Sequence, residues 1–268
     1  MPHFTDQMGN EVFLEATPQR IVSLVPSQTE LLIDLGLDET VVGLTRFCVH
    51  PVPKVKGKTI VGGTKDPDLD VIRKLQPDLI IGNKEENRRE DIEALQKEFP
   101  VWMSDIDTLN DATTMITEVG HMVGKETSAL WIANLIETRF DELAREVSSS
   151  GPPQRVVYLI WRKPWMAVGS GTFIHTMLQL AGFTNIFGNS SRYPECTEKE
   201  LKTARPDLVF LSSEPFPFRE KHLEELREIC PAAQVRLVDG ALFSWYGSRL
   251  LRTPRYLRSL RSAAPIGF

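Results

Sequence analysis

The sequence predicts an α/β protein with two Rossmann-like lobes, each built on a parallel sheet, joined by one long backbone helix. Three observations carry this prediction: apolar, β-branched runs recur in the same order in both halves, helical patterns separate those runs, and one unbroken helical stretch lies between the halves. Short apolar runs alternating with helices are typical of buried parallel strands. The chain of 268 residues is long enough for two such lobes.

Internal repetition is the first of these observations. The paired segments are RIVSLV (20–25) with RVVYLI (155–160), DVIRKLQPDLII (70–81) with KELKTARPDLVF (199–210), and VWMSD (101–105) with VRLVD (235–239). Three matches in the same order at a nearly constant offset indicate that one βαβ-type unit occurs twice.

Helix and strand boundaries follow from residues that start or stop helices. After the first strand comes PSQTELLIDLG, where Ser27 and Glu30 have capping-box spacing and Gly36 should end the helix. In both halves a helix should end before a proline, Pro77 or Pro206, because proline lacks the amide hydrogen and disfavours helical geometry before it. The segments that follow these prolines, starting at Asp and continuing with apolar residues, are predicted strands.

A single helix should connect the halves. Neither glycine nor proline occurs from Lys125 to Ser150, and an apolar stripe recurs at steps of three and four, at Ala133, Ile136, Phe140, Leu143 and Val147. This length corresponds to about six or seven turns. We therefore predict an N-terminal lobe at 1–123, the helix at 124–150 and a C-terminal lobe at 151–268.

Composition excludes several classes of protein. The net charge of −5 gives no basic footprint for nucleic acid. The arginines at 249, 252, 255, 258 and 261 are interpreted as a solvated helix face. No apolar run approaches the ~20 residues of a membrane span, so no membrane insertion is expected. We expect a monomer.

The N-terminus, MPHFTDQMGNEVFLEATPQR, has no features of a secretion signal. The three cysteines, Cys48, Cys196 and Cys230, do not form a disulfide framework and suit a reducing compartment. The sequence as written therefore predicts a cytoplasmic protein, and a periplasmic one if a leader has been removed.

Ligands of open α/β sheets bind beyond the carboxyl ends of the strands. The segments that follow the predicted strands are rich in aromatic and ionic groups, as expected of a small-molecule site. The candidate ligand-binding residues are Phe47, Cys48, His50, Lys65, Asn83, Lys84, Glu85, Trp161, Arg162, Trp165, Tyr193, Glu214, Trp245, Tyr246 and Arg249.

These candidates divide by chemistry. The aromatic residues that would supply apolar faces are Phe47, Trp161, Trp165, Trp245 and Tyr246. The cations that would pair with ligand carboxylates or phosphates are Lys84, Arg162 and Arg249. Glu85 and Glu214 would take cationic or hydroxyl groups, or orient the arginines.

A metal or catalytic site is the rival interpretation. Cys48 and His50 have C-x-H spacing that suits a soft or borderline metal, although two ligands do not complete a site. No hydrolase, zincin, phosphate-loop or dinucleotide motif is present, so no catalytic residue and no required cofactor are predicted. The alternative is a metal- or thiol-dependent enzyme that uses Cys48, His50 and Glu214.

RIVSLVPSQTELL, VVGLTRFCVHP, LQPDLIIGN, the central helix and the second PDL strand resemble the helical-backbone metal receptor superfamily. These are the class III substrate-binding proteins of ABC importers for vitamin B12, iron–siderophores and haem. The resemblance spans about Phe4 to Arg261 and is greatest to the vitamin B12-receptor branch. It implies a solute-binding protein that holds a cobalamin-like chelate or ferric siderophore in the cleft between the lobes, with an ABC permease as partner.

The chain departs from that branch at several positions. In that branch an acidic residue of each lobe docks onto the permease, and the matching positions here are Asp70 and Lys199. The charge is reversed at Lys199, where neighbouring Glu198 or Glu200 would substitute. The aromatic residues that grip the corrin correspond to Thr64 and Asn83, which are followed here by the charged run at 84–86. These departures leave open a cytoplasmic ligand sensor or carrier on the same scaffold.

Overall fold

The computed structural model describes residues 3–261, which form two compact units. Within this part, unit 1 comprises residues 3–106, 110–136 and 246–249, and unit 2 comprises residues 107–109, 137–245 and 250–261. Each unit is a sheet covered by helices, so the predicted α/β class with two lobes is confirmed. The predicted boundaries at residues 123 and 150 stay a prediction.

The elements of the first half run from β1 to α6 in chain order. They are β1 (His3–Thr5), β2 (Glu11–Phe13), β3 (Ile21–Ser23), α1 (Pro26–Asp34), β4 (Val41–Leu44), α2 (Val52–Val55), β5 (Thr59–Ile60), α3 (Leu69–Leu75), β6 (Leu79–Asn83), α4 (Arg89–Leu95), β7 (Val101–Ser104), α5 (Leu109–Met122) and α6 (Glu126–Ser148).

The second half continues the series. Its elements are β8 (Arg155–Trp161), β9 (Trp165–Ala167), α7 (Phe173–Leu180), β10 (Thr184–Asn185), β11 (Glu195–Cys196), α8 (Glu198–Ala204), β12 (Leu208–Ser212), α9 (Glu220–Ile229), β13 (Gln234–Val238), α10 (Ala241–Ser244), a 3₁₀ turn (Ser248–Leu251) and α11 (Thr253–Arg261).

Five parallel strands form the main sheet of unit 1, in the order β5-β4-β3-β6-β7. Strand β3 is central, with Ile21 beside Val41 on one side and Leu79 on the other. Both faces are apolar, and one of them packs Val22, Ile80 and other buried side chains against helices α3 and α4. The carboxyl ends of these strands therefore meet at one edge of the sheet.

The sheet of unit 2 is only partly parallel. Its order is β11-β9-β8-β12-β13, with β10 beside the start of β8. Strands β8, β12 and β13 are parallel as predicted, whereas β9 runs antiparallel to β8, and β11 antiparallel to β9. The predicted loop after β8 is a hairpin turn at residues 162–164, where Lys163 adopts a left-handed conformation (φ 66°) that reverses the chain.

The internal repeat is visible at the start of β6 and of β12, the strands that follow the two PDL aspartates. Asp78 accepts backbone hydrogen bonds from Gln19 (2.7 Å) and Arg20 (2.8 Å), and its own N–H donates to the Arg20 carbonyl. In unit 2, Asp207 accepts from the Arg155 N–H (2.7 Å) and donates in the same way to the Arg155 carbonyl. The aspartate of each PDL motif thus joins two neighbouring strands at their amino ends.

Helix α6 confirms the predicted backbone helix, with 23 residues from Glu126 to Ser148. Its residues up to Ile136 belong to unit 1, and those from Glu137 belong to unit 2. The predicted apolar stripe is buried at Ala133, Ile136, Phe140 and Leu143, and Val147 is half-buried.

The predicted capping box at the start of α1 is wrong. The helix begins at Pro26, the residue before it is Val25, and no side chain caps its first turn. Proline at the first helical position explains this start, because its fixed φ suits a helix and its missing N–H is not needed there. Ser27 therefore lies inside the helix, while Gly36 (φ 80°) ends it as predicted.

The arginine run near the C-terminus divides into two kinds. Arg252 and Arg255 are exposed on or beside α11, and Arg258 pairs with Glu146 (2.6 Å). Arg249 precedes that helix and is buried, so its interpretation as part of a solvated face is wrong.

Candidate ligand-binding site

A network of buried polar side chains lies at the carboxyl edge of the unit 1 sheet. The Ser104 hydroxyl, at the end of β7, accepts hydrogen bonds from Gln28 Nε2 (2.7 Å) and Asn83 Nδ2 (3.0 Å) and donates to the Gly82 carbonyl (3.2 Å). All of these side chains are at most 2% exposed. Buried polar groups that are hydrogen-bonded to one another hold one geometry, so this edge is a fixed platform.

Asn83 was predicted to contact a ligand, and the structure gives it a positioning role at this edge. Its Oδ1 accepts from the backbone N–H groups of Glu85 (2.9 Å) and Glu86 (3.1 Å), and its own N–H donates to Asn87 Oδ1 (2.8 Å). Asn87 in turn donates to the Thr64 carbonyl (3.0 Å). Asn83 therefore shapes the turn that carries Glu85.

Cys48 follows β4 on the same side of the sheet, with its sulfur 3.1 Å from Thr29 Oγ1 and 3.2 Å from Thr45 Oγ1. Burial raises the pKa of the Cys48 thiol above its ordinary value, which disfavours the thiolate needed for a nucleophile or a metal ligand. Among residues 3–261, no three or more His, Cys, Asp or Glu side chains are grouped so that they could hold a metal ion. Ligation by Cys48 and His50 stays a prediction.

The predicted cations are engaged within the protein. Lys84 pairs with Asp105 (2.5 Å), and Lys65 donates to the Glu85 carbonyl. Arg249 forms a bidentate pair with Glu30, and Arg162 does so with Glu225 (2.7 and 2.8 Å). Each of these cations therefore already has a carboxylate or carbonyl partner in the chain.

In unit 2, Glu214 follows β12 at the carboxyl edge. Its Oε1 accepts from the Ser244 hydroxyl (2.6 Å) and from Trp245 Nε1 (3.0 Å), so two residues of the α10 region orient it. Beneath it the Tyr158 hydroxyl donates to Ser212 Oγ (3.1 Å), and burial raises the pKa of Tyr158 well above its ordinary value. This tyrosine therefore stays neutral.

Aromatic rings form a connected group beyond the β8–β9 hairpin. Trp161 is 40% exposed and meets Phe216 edge to face at 5.6 Å, whereas Trp165 is buried and stacks parallel to Phe218 at 6.2 Å. The His222 ring contacts both phenylalanines, and burial lowers its pKa. Of the two tryptophans, only Trp161 offers a free face, and Trp165 is part of the core of unit 2.

The remaining aromatic candidates differ in exposure. Phe47 is 52% exposed with the Arg46 guanidinium 5.7 Å from its ring, and half-buried Tyr193 has the same relation to Arg192. Trp245 and Tyr246 are buried. Phe47 thus presents an apolar surface in unit 1 comparable to that of Trp161 in unit 2.

The predicted docking residues lie in corresponding helices. Asp70 is the second residue of α3; its side chain is 80% exposed and pairs with Arg73 (2.9 Å). Glu198 begins α8 and is exposed, whereas the Glu200 carboxylate closes a capping box with Thr197. The carboxylate of Glu200 is therefore used inside the helix start, which leaves Glu198 as the acidic group there.

Sequence reasoning missed Gln28, Ser104 and Asn87. Their signal was present, because polar residues that directly follow a buried strand mark the carboxyl edge of a sheet. Gln28 was hidden by its position one residue inside a predicted helix start.

A family model described as periplasmic binding protein matches residues 21–233. The chain belongs to the periplasmic binding protein family. Its sequence is 26% identical to the vitamin B12-binding protein of Vibrio cholerae serotype O1 over 196 residues, which are 72% of this chain and 70% of that protein. The predicted membership of the class III substrate-binding proteins and the prediction of a solute-binding protein are confirmed.

Solved structures agree on the fold. The periplasmic vitamin B12 binding protein BtuF of Vibrio cholerae aligns with a TM-score of 0.79 at 22% identity, over 92% of this chain and 99% of that one. The periplasmic heme-binding protein RhuT from Roseiflexus sp. RS-1 aligns with a TM-score of 0.76 at 21% identity, over 90% and 96% of the two chains. Within residues 3–261, no helix has both the length and the apolar character required to cross a membrane.

Proposed function

We propose that this chain binds a metal chelate, of the corrinoid or ferric-chelate class, and delivers it to an ABC permease. The family match over residues 21–233 carries the proposal, together with relatives that are named vitamin B12-binding proteins. A neighbour of the same fold is named a heme-binding protein. The shared feature of these ligands is a large, flat, partly apolar metal complex.

The residues at the two carboxyl edges suit such a ligand. Trp161 and Phe47 expose aromatic faces, and aromatic side chains bind flat apolar surfaces with little loss of conformational entropy. Glu214 is held in place by Ser244 and Trp245, so it is an oriented acceptor for hydroxyl or amide donors. The rigid platform that includes Asn83 and Ser104 supports the loops around Lys65 and Glu85.

A non-enzymatic role is part of the proposal. The neutral, buried thiol of Cys48 is unsuited to nucleophilic attack, and the side chains hydrogen-bonded to its sulfur are the hydroxyls of Thr29 and Thr45, neither of which is a base. No resident cofactor is needed, and the chelate is cargo.

We further propose that the protein works as a monomer on the periplasmic side of the membrane, in keeping with its family, rather than as a cytoplasmic sensor or carrier. Asp70 on α3 and Glu198 on α8 are exposed acidic groups in corresponding helices, and we propose them as the permease contacts. Because Lys199 lies beside Glu198, the permease would need an acidic residue that faces Lys199.

The test is a thermal-shift panel with cyanocobalamin, haemin and a ferric siderophore, each at a large excess over protein. A ligand that binds only the folded state at 100 times its Kd stabilises it by about 2.7 kcal/mol, which raises the unfolding midpoint by several degrees. We expect at least one chelate to do so. If none of the three chelates shifted the unfolding midpoint, the proposed function would be ruled out.

A further inference from the structure

Gln28, in the first turn of α1, holds a polar atom without a hydrogen-bond partner in the described part of the chain. The residue is 1% exposed, and its side-chain Oε1 is buried and unpartnered. A buried acceptor without a donor is rare in proteins and marks a place where a water, an ion or a ligand group binds. This atom therefore points to a contact that the chain itself does not supply.

The orientation of the Gln28 amide is fixed by its neighbours. The Ser104 hydroxyl gives its only proton to the Gly82 carbonyl and already accepts from Asn83 Nδ2. It still has room to accept one more bond and has no proton left to donate. In the structure Gln28 Nε2 donates to Ser104 Oγ (2.7 Å), and Oε1 is the amide atom that has no partner among the described residues.

The position of this amide is at the carboxyl edge of the unit 1 sheet. Ser104 is the last residue of β7, and helix α1 follows the central strand β3 directly. Ser27, next to Gln28, has a buried hydroxyl that is also unpartnered in the described residues. No side chain caps this helix start and no acidic residue lies in its first turn. Two consecutive residues thus present unused polar atoms at the edge where α/β proteins bind ligands.

Three cations near this edge are paired with carboxylates of the chain, and Lys65 donates to a backbone carbonyl. Lys84 is paired with Asp105, Arg46 with Asp66, and Arg249 with Glu30. A ligand carboxylate that bound Lys84, Arg46 or Arg249 would have to displace its partner, and a carboxylate beside Gln28 Oε1 would meet another group that only accepts hydrogen bonds. A neutral group with N–H or O–H donors meets neither obstacle.

We propose that Gln28 Oε1 determines specificity by accepting an N–H or O–H of the ligand, directly or through one ordered water. This acceptor selects chelates whose rim carries neutral primary amides, such as corrinamides, over chelates whose rim carries carboxylates, such as haem. A site built to satisfy a polar group discriminates strongly against a ligand that leaves the group unpaired. The inference rests on the proposed function and narrows its ligand class.

The test measures Kd by calorimetry for three probes: cyanocobalamin, its monocarboxylic acid derivatives, in which one rim amide is a carboxylate, and haemin. The variants are Gln28→Met, which keeps the length of the side chain without its acceptor, and Gln96→Met, a matched change at an exposed glutamine of the same unit. We expect the wild type to bind cyanocobalamin at least about tenfold more tightly than one of the monocarboxylates. Gln28→Met should weaken cyanocobalamin binding about tenfold and should not weaken haemin binding, with no effect of Gln96→Met.

The outcomes separate the two proposals. If the wild type binds a chelate but Gln28→Met binds cyanocobalamin as tightly as the wild type, or the wild type prefers haemin, the Gln28 inference fails and the proposed function stands. If the wild type binds none of the probes and no ferric siderophore, both fail. If Gln28→Met does not fold, Ser104→Ala replaces it. This change frees the Gln28 amide to rotate, so it should reduce the preference for cyanocobalamin over the monocarboxylates about threefold. An unchanged preference would overturn the inference.

Discussion

Glu30 and Arg249 form a buried ion pair within unit 1, with two hydrogen bonds of 2.8 Å across 219 positions of sequence. Their side chains are 7% and 9% exposed. Arg249 belongs to the segment Tyr246–Arg249, which packs in unit 1 although the residues on both sides of it belong to unit 2. Ser248 in the same segment donates to Asp34 (2.6 Å). Helix α1 is thus anchored by side chains from near the end of the described chain.

The first prediction concerns this pair. Arg249→Met should lower the free energy of unfolding by about 3–5 kcal/mol, because it leaves the Glu30 carboxylate buried without a partner. The double variant Glu30→Met/Arg249→Met should recover much of that loss, since an apolar pair needs no desolvated charge. Urea unfolding of the wild type, Glu30→Met, Arg249→Met and the double variant measures both effects. Arg89→Met, which removes one partner of the exposed pair with Glu93, is the control and should change the free energy of unfolding little. If the loss in the double variant equalled the sum of the two single losses, the prediction would be contradicted.

Much of the fold could be predicted because it is local and repeated. The runs after Asp78 and Asp207 are strand-like in isolation and the runs before them are helical, and the recurrence of this pattern identified two equivalent units. The hydrogen bonds that each aspartate makes with the backbone of Arg20 or Arg155 explain why the PDL pattern occurs in both halves. Helix α6 was predictable because no residue in it breaks a helix.

The rest depends on contacts distant in sequence. The β8–β9 hairpin depends on the left-handed backbone conformation of Lys163, which a lysine in the sequence does not predict. The role of Arg249 depends on Glu30, which no spacing rule connects to it. Gln28 and Ser104 come from separate elements, so a buried polar network between them is visible only once the sheet has formed.

Cys48 should resist alkylation in the folded protein. Burial raises the pKa of its thiol, so the thiolate fraction near neutral pH is smaller than for a free cysteine, and access is restricted as well. Iodoacetamide labelling followed by peptide mass spectrometry should modify Cys48 slowly at about pH 7.5 and rapidly in about 8 M urea. Rapid labelling in the native state would favour the thiol-enzyme alternative instead.

Alkaline conditions should destabilise unit 2 through Cys196. Burial raises the pKa of this thiol from 9.0 to about 12. Above pH 9 the unfolded chain loses this proton while the folded chain keeps it, so stability falls as pH rises towards 12. Cys196→Ala should remove up to about 1.4 kcal/mol per pH unit from that slope. Urea unfolding of the wild type and Cys196→Ala at about pH 7.5 and about pH 10 tests this prediction. At the lower pH the substitution shows only its packing cost. If both proteins lost the same free energy of unfolding between the two pH values, the prediction would be refuted.

Trp161 should contribute to ligand binding through its exposed face. Trp161→Ala is expected to weaken chelate binding about tenfold with little loss of stability, because the side chain is 40% exposed. Trp131→Ala is the matched control, since that tryptophan is 62% exposed on α6 and no binding role is proposed for it. Fluorescence titration of both variants gives the comparison, and equal affinities would remove Trp161 from the site.

Permease coupling should depend on the exposed acidic groups rather than on the binding residues. Asp70→Lys combined with Glu198→Lys is expected to abolish stimulation of a cognate ABC permease in proteoliposomes while ligand affinity stays the same. Glu220→Lys, another exposed acidic residue at a helix start, is the control. Full stimulation by the double variant would place the contact elsewhere and favour the sensor or carrier alternative.

The central claim is that the folded chain binds one metal chelate, and isothermal titration of the wild-type protein tests it most directly. With cyanocobalamin, haemin and a ferric siderophore in turn, we expect one of them to bind with a stoichiometry of about one and a Kd of about 1 µM or below. Absence of heat and of co-eluting colour for all three, at protein concentrations near 100 µM, about a hundredfold above that Kd, would contradict it.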